Sequence, residues 1–233
     1  MKLGIFADPH FSSQKVTSTP PRYNSLSLEK IENIYEEFKK NNCDLVVCLG
    51  DLIDGESTIE KVLDNLKKIA NVIKASGIPT VYLMGNHDAF TLTEEQFYST
   101  LETEAPKDIT IGDNTFIFLD ACYYSSGEHY TPCDGSDYQN TFLPNEDELK
   151  EKLSKVKGNA YLFIHQNIDP DVWSDHLIKN SESVFNIIKE SGVVKAVFQG
   201  HFHFGQNSVH DGIQYITLPA VCEQELPYLI KEI

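Results

Sequence analysis

Positive charge is scarce in this chain. Lys and Arg together number 19 against 35 Asp and Glu, a formal net charge of −16, and Arg22 is the only arginine in 233 residues. A broad surface for nucleic-acid backbones or anionic membranes needs the opposite balance, so neither is an expected partner. The acidic residues are spread along the chain rather than gathered in a tail, which reads as a solvated surface. A small anionic substrate stays admissible, because a few cations gathered in one cleft reverse the local potential. Sulfur is thin as well. The five cysteines (Cys43, Cys48, Cys122, Cys133 and Cys222) are an odd number at irregular spacings with no CxxC pair, which argues against a disulfide framework and against a sulfur-rich zinc site. Cys43, Cys48 and Cys122 lie in or beside apolar runs and read as reduced core residues. No stretch approaches the roughly 18 uninterrupted apolar residues of a membrane helix, and "MKLGIFADPH" meets an aspartate too early for a secretory apolar segment. The expectation is a cytoplasmic protein. Internal repeats and low-complexity segments are also missing, and 41% hydrophobic residues suffice for one core, so residues 1–233 read as a single domain.

What is present is alternation. "KLGIFA" (2–7), "DLVVCL" (44–49), "PTVYLM" (79–84), "TFIFLD" (115–120), "AYLFIH" (160–165) and "KAVFQ" (195–199) are near-continuous apolar runs, as buried strands require. Between them Leu28, Ile31, Tyr35 and Phe38, and again Ile59, Val62, Leu66, Ile69 and Ile73, recur at helical spacing. Further helices fit 146–155 and 181–190, the latter with a serine N-cap and a stop at Gly192. After Gly205 the pattern predicts two short strands around an Asp211-Gly212 turn, and "PYLIKEI" a closing strand. Three loops are long for a chain of this economy: 11–25, 121–142 and 166–180. Loops of that length inside a compact domain are functional lids or binding loops, or else disordered, and the aromatics in these favour the first reading.

The residues that follow the predicted strands form a set. Asp8 and His10 follow the first, Asp51 and Asp54 the second, Asn86, His87 and Asp88 the third, His165 the fifth, and His201 and His203 the sixth. In an open α/β sheet the carboxyl ends of strands border one crevice, so these segments should converge. Residues two apart on extended backbone project to one side, which would make Asp8/His10 and His201/His203 paired clamps, with Pro9 holding Asp8 extended. Carboxylate, imidazole and amide oxygen without thiolate suit divalent Mn, Fe, Zn or Co. Asp8, His10, Asp51, Asn86, His165, His201 and His203 are seven candidate ligands, too many for one tetrahedral ion and well suited to two ions sharing a carboxylate.

In this order "DPH", "GDLID", "GNHD", "IHQ" and "GHFH" resemble the calcineurin-like metallophosphoesterases, and the resemblance runs from Asp8 to His203. It implies an αββα sandwich, two mixed β-sheets flanked by helices. It implies one metal on Asp8, His10, Asp51 and His203, a second on Asp51, Asn86, His165 and His201, and His87 beside the substrate rather than on a metal. The implied reaction is two-metal hydrolysis of a phosphate ester, water attacking phosphorus in line. Two dications outweigh the charges of Asp8 and Asp51, which suits an anionic substrate. His87 is then a candidate proton donor to the leaving oxygen, Asp88 a candidate to orient or raise the pKa of a neighbouring histidine, and Asp54 a candidate partner behind a ligand histidine.

Outside the motifs the expectations are plainer. His129, His176 and His210 read as loop or hairpin residues, and Tyr123, Tyr124, Tyr130 and Trp173 as packing residues that pin long loops. Arg22, on the loop after the first motif, and His176 are the candidate substrate contacts outside the motifs. The arginines that protein serine/threonine phosphatases of the superfamily carry beside the second and third motifs are missing from "GDLIDGES", and the third motif ends in Asp88. The short chain with "GNHD" is closer to the bacterial cyclic-nucleotide phosphodiesterase branch and to the manganese-dependent ADP-ribose/CDP-alcohol pyrophosphatase-like branch, towards which "RYNSLSLEKI", "GHFHFGQ" and "GIQYITLPAVCE" lean. The expected partner is thus a small phosphodiester or pyrophosphate, with nucleotides among the candidates. A phosphomonoesterase and a non-catalytic metal-binding scaffold of the same fold are the alternatives.

Overall fold

Every one of the six apolar runs becomes a strand, and the alternation of side chains along each strand sorts the core into three layers. The computed structural model describes residues 1–13, 22–130, 132, 140–225 and 227–233. Much of the 11–25 loop, the middle of the 121–142 loop and Cys133 lie outside the described residues. The first sheet contains β1 (Lys2–Phe6), β2 (Leu45–Cys48) and β3 (Thr80–Tyr82) in parallel, with β10 (Leu229–Glu232) antiparallel on the free edge of β1. The second has six strands. Its order is β4 (Ile109–Ile111), β5 (Asn114–Leu119), β6 (Asn159–Ile164), β7 (Val194–Gln199), β9 (Ile213–Thr217) and β8 (Gln206–His210). The strands β5, β6, β7 and β9 run parallel, and β4 and β8 close the two edges antiparallel.

Successive residues of a strand face opposite sides, so a strand apolar throughout must be covered twice. Leu3, Ile5, Leu45 and Val47 from the first sheet meet Phe116, Phe118, Phe163 and Phe198 from the second in a core between the sheets. The alternate residues Phe6, Val46 and Cys48 pack instead under α1 (Ser27–Lys40), α2 (Ile59–Ser76) and α4 (Glu94–Leu101). Ile117, Leu162 and Val197 pack under α5 (Glu146–Lys155) and α6 (Ser181–Ser191). The result is the αββα sandwich. None of the described helices is long and apolar enough to cross a membrane.

The differences from the sequence expectation are local. The residue preceding α6 is Asn180, not a serine, and its amide bridges Leu143 rather than capping the helix. The pattern gives no warning of β4, three residues on a sheet edge, or of α3 (Asn86–Thr91). Nor was α4 anticipated, although Thr93-x-x-Gln96 caps its start, side chains and backbone amides satisfying each other reciprocally at 3.1 and 3.0 Å. The Asp211-Gly212 turn forms as expected, with φ of 52° and 81°.

Phe163 is fully buried between the sheets, its ring 5.3 Å from Phe118 and 5.0 Å from Phe198. Phe163→Ala should therefore cost about 3–5 kcal/mol in urea unfolding. A loss below about 1 kcal/mol would mean that the two sheets do not depend on this stack.

Candidate metal centre

The carboxyl ends of β1, β2, β3, β6 and β7 meet at one place, and the backbone there leaves ordinary geometry. Asp8, His10, Asp51 and His201 all have left-handed φ, at 56°, 45°, 53° and 64°. Non-glycine residues avoid this region at a cost of roughly 1–3 kcal/mol each, so their concentration here marks a site the fold holds under constraint. It also corrects the expectation for Asp8 and His10: Pro9 does not leave Asp8 extended, and the pair converges through two turned residues. Gly50, with φ of 106°, starts the turn after β2. Gly85 is needed for closeness, since a methyl group on it would lie 2.1 Å from Asp51 Oδ1.

Backbone hydrogen bonds stitch the loops together. Asp8 N donates to Gly50 O at 3.1 Å and His10 N to Asp51 O at 2.9 Å, which aligns the first two motifs. The amide of His87 donates to Asp51 Oδ1 at 2.8 Å. From the second sheet, His201 N donates to both oxygens of Asp8, at 3.2 and 3.1 Å.

The second oxygen of Asp51 is the centre of the arrangement. Oδ2 lies 3.3 Å from His10 Nε2 and 3.2 Å from His165 Nε2, is buried, and has no aligned hydrogen-bond donor among the described residues. On one side His10 Nε2 is 3.2 Å from His203 Nε2, and Asp8 Oδ1 is 3.5 Å from His203 Nε2. On the other, Asn86 Oδ1 is 3.2 Å from His165 Nε2, and His201 clusters with Asp51 and His165. Donor atoms held about 2.0–2.2 Å from one ion stand roughly 3.0–3.6 Å apart, the spacing seen here. An orphaned carboxylate oxygen between imidazole nitrogens from both sheets therefore fits divalent metal on either side of Asp51. All seven candidate ligands are brought together.

Four of the imidazoles, those of His165, His203, His87 and His10, have a partner behind them. His165 Nδ1 faces Leu49 O at 2.9 Å, which leaves Nε2 free as a donor atom. His203 Nδ1 faces Glu223 Oε1 at 2.6 Å. Asp54 Oδ1 lies 2.7 Å from His87 Nδ1 and 3.4 Å from His10 Nδ1, as proposed for a carboxylate behind the histidines. Sequence reasoning missed Glu223 and the buried Cys222, whose sulfur clusters with His10 and His203. The signal was weak: "AVCEQ" matches no motif, and it reaches the site because Val221 N and Cys222 N bond to Ala7 O and Asp8 O at 3.0 and 3.1 Å.

Two candidates have other partners. Asp88 hydrogen-bonds no histidine among the described residues, though its charge helps to raise the pKa of His165; its carboxylate accepts from the amides of Leu52, Ile53 and Gly85 at 3.0–3.2 Å and clamps the second motif loop to the third. The Arg22 guanidinium is engaged with protein carboxylates, 3.5 Å from Asp54 and 4.0 Å from Glu223, with His10 Nδ1 at 3.4 Å. His176 does reach the site, its ring 5.3 Å from that of His201. His129 pairs with Asp120 and His210 with Asp169, away from the seven candidate ligands.

Buried charge shapes the titration of the cluster. Burial works against the imidazolium of His10 and of His165, yet Asp51 and its neighbouring carboxylates push their pKa up to about 10 and about 9. Burial and the adjacent positive His165 push His201 well down. Burial also lowers the pKa of His87, with Asp51 and Asp54 opposing it. For Asp51 itself burial favours the neutral acid, but His165, His87 and His10 hold the carboxylate ionised far below its usual range.

An αββα sandwich that gathers imidazole and carboxylate groups from five strand ends around one shared aspartate defines a metal-using hydrolase. The model of the calcineurin-like phosphoesterases matches residues 1–205, and the chain belongs to that family. It is 25% identical over 97% of its length to the 3′,5′-cyclic adenosine monophosphate phosphodiesterase CpdA of Haemophilus influenzae, covering 78% of that protein. It is equally 25% identical, over 87% of its length and 77% of the relative's, to the manganese-dependent ADP-ribose/CDP-alcohol diphosphatase of Oryza sativa subsp. japonica. Its fold is that of a dimetal phosphatase from Danio rerio, with a TM-score of 0.83 at 17% identity, 98% of this chain and 91% of that one being covered.

Gly85→Ala must push Asp51 aside, because the added carbon would also stand 2.4 Å from Asp51 N, whereas at exposed Gly55 the nearest atom is Thr91 Cγ2 at 3.6 Å. The first substitution should destabilise the protein by about 1–3 kcal/mol and the second by less than about 0.5 kcal/mol. Equal unfolding midpoints for the two variants would contradict the close approach.

Proposed function

We propose that this protein, as one domain over residues 1–233, is a two-metal phosphohydrolase of small phosphodiesters or pyrophosphates, nucleotides included, working in the cytoplasm. The observation that carries the reading is Asp51 Oδ2, buried between His10 and His165 with no aligned hydrogen-bond donor among the described residues. Asp8, His10, Asp51 and His203 would hold one divalent ion, and Asp51, Asn86, His165 and His201 the other, with Mn, Fe, Zn or Co as candidates. Bound there, two such ions supply Lewis-acid stabilisation of the phosphoryl oxygens and an activated water. Two relatives, a cyclic-nucleotide phosphodiesterase and a manganese-dependent diphosphatase, support the substrate class.

The chain's own residues do the positioning. The imidazoles of His165, His203 and His10 are held by Leu49 O, Glu223 and Asp54, so their donor atoms are preorganised. Asp88, on backbone amides, keeps the second and third motifs in register. His87 is partly exposed on the same rim and backed by Asp54 at 2.7 Å, an arrangement suited to giving a proton to the leaving oxygen. Burial lowers its pKa, so the imidazolium is a stronger acid but a minority form at neutral pH, and Asp54 stabilises that charged form. Arg22 acts through Asp54 and Glu223, and His176 borders the substrate side of His201.

Initial rates on bis(p-nitrophenyl) phosphate and p-nitrophenyl phosphate, with Mn and with EDTA, test the reading. The diester should be preferred and chelation should abolish turnover. Asp51→Asn should lower metal occupancy by more than the roughly 10- to 100-fold that loss of an outer hydrogen-bond partner costs. Preference for the monoester would redirect the assignment to a phosphatase, and silence on both substrates would favour a narrower specificity or a non-catalytic metal-binding scaffold.

Metal uptake should also depend on pH in a definite direction. At neutral pH the metal-free cluster carries protons on His10 and His165, whose pKa values are about 10 and about 9. A dication must displace them, so Mn affinity should rise with pH and level off above about 10. Calorimetric titration at neutral pH in buffers of different ionisation enthalpy should reveal proton release. Buffer-independent heats would refute the coupling.

A further inference from the structure

The rim of the centre carries a feature that hydrolysis alone does not need. Trp173, the chain's only tryptophan, is 59% exposed, and Phe204 is 57% exposed. Trp173 is thus not the loop-pinning packing residue that its sequence context suggested, in contrast to buried Tyr130. The Trp173 ring stands 5.2 Å from Phe202, 5.6 Å from Phe204 and 6.1 Å from His176. The His176 ring is in turn 5.3 Å from His201. An unbroken row of rings therefore leads from a candidate metal ligand to open solvent.

The row is held firmly. The 166–180 loop is closed by paired hydrogen bonds between Asn167 and the His176–Ile178 stretch, and its Ile168, Val172 and Ile178 are buried. Asn167 Nδ2 donates to Thr217 Oγ1 at 3.0 Å and Ile168 N to Gln199 Oε1 at 2.5 Å, fixing the loop to β9 and β7. Phe202 is buried beneath the shelf, and its carbonyl accepts from Gly205 N at 2.8 Å in the turn that presents Phe204. Neither this loop nor the turn at Gly205 needs its large exposed ring for anchorage, and exposed apolar patches beside a cleft mark binding. The open side also lies correctly: Asp8, His10, Asp51, Asn86 and His165 are buried, while His87, His201 and His203 are partly exposed.

We infer that Trp173, Phe204 and His176 form a stacking shelf for the nucleobase of a nucleotide substrate whose phosphate lies at the metal centre. The inference rests on the phosphohydrolase reading for the position of the phosphate and adds what recognises the rest of the molecule. Flat heterocycles stack on aromatic faces with little regard to base identity, so the shelf selects for nucleotides as a class.

The single tryptophan reports on its own site. With zinc present, which has no unpaired electrons to quench the indole, AMP should quench the fluorescence saturably. Ribose 5-phosphate, the same phosphate without a base, should bind more weakly and leave the emission unchanged. Phe204→Ala should raise the dissociation constant for AMP by about 5- to 100-fold and leave that for ribose 5-phosphate unaltered. Trp173→Ala, followed by calorimetry, should do the same. Equal affinity for the two ligands, AMP binding with an unperturbed indole, or emission that follows protein concentration instead of nucleotide would overturn the shelf. Quenching by AMP in a protein that hydrolyses no diester would uphold the shelf and refute only the catalytic reading; turnover without any preference for base-bearing diesters would refute the shelf alone.

Discussion

Two carboxylates, Asp8 and Asp51, are buried where the ends of both sheets meet, and most of the local structure exists to keep them charged there. An ionised carboxylate out of water is tolerable only with hydrogen-bond donors and positive charge around it. The donors come from the backbone: the amide of His201 for Asp8 and that of His87 for Asp51. The positive charge comes from imidazoles delivered by other strands, which is why His10 and His165 hold protons far above the usual histidine range. Protons and divalent ions are then alternative occupants of one electrostatic demand. The left-handed backbone at four of these residues is a further cost that only a fixed surrounding can sustain.

That surrounding is the sandwich. Imidazole nitrogens and carboxylate oxygens must be held to a fraction of an ångström, although His165, His201 and His203 arrive from the second sheet and Asp8, His10, Asp51 and Asn86 from the first. Relative movement of the sheets would pull the two groups apart. The aromatic stack of Phe118, Phe163 and Phe198 lies directly behind the site strands and resists such movement, because a close-packed interior has no room into which to slide. Stability and chemistry thus meet in the same layer.

Much of this was legible in the sequence, and the reason is physical. A strand covered on both faces is apolar throughout, and the polar residue that ends it stands out, so "LVVCLGD" and "LFIHQ" announce both the strand and its functional terminus. Short elements at edges leave no such contrast, which hid β4 and α3. Tertiary partners leave even less. Asp88 sits in a motif and was read as orienting a histidine or raising its pKa; it helps to raise that of His165 through charge alone, because a short side chain beside three unpaired amides satisfies those first. Glu223 lies 20 residues from His203 in sequence and meets it only because the chain folds back along β1. Trp173 looked like packing because burial cannot be read from an aromatic residue in a loop.

The two parts of the site answer to different physics, and their separation is informative. At the centre, buried charge and fixed donors leave no freedom in residue type, so the motifs there are strict. At the rim, a ring needs only a face of adequate size and a rigid support, and Trp173, Phe204 and His176 meet that need with three different side chains. The centre defines the bond to be broken. The rim, resting on a loop anchored to β7 and β9, is where a chain of this fold can change the molecule that carries the bond without disturbing the groups that break it.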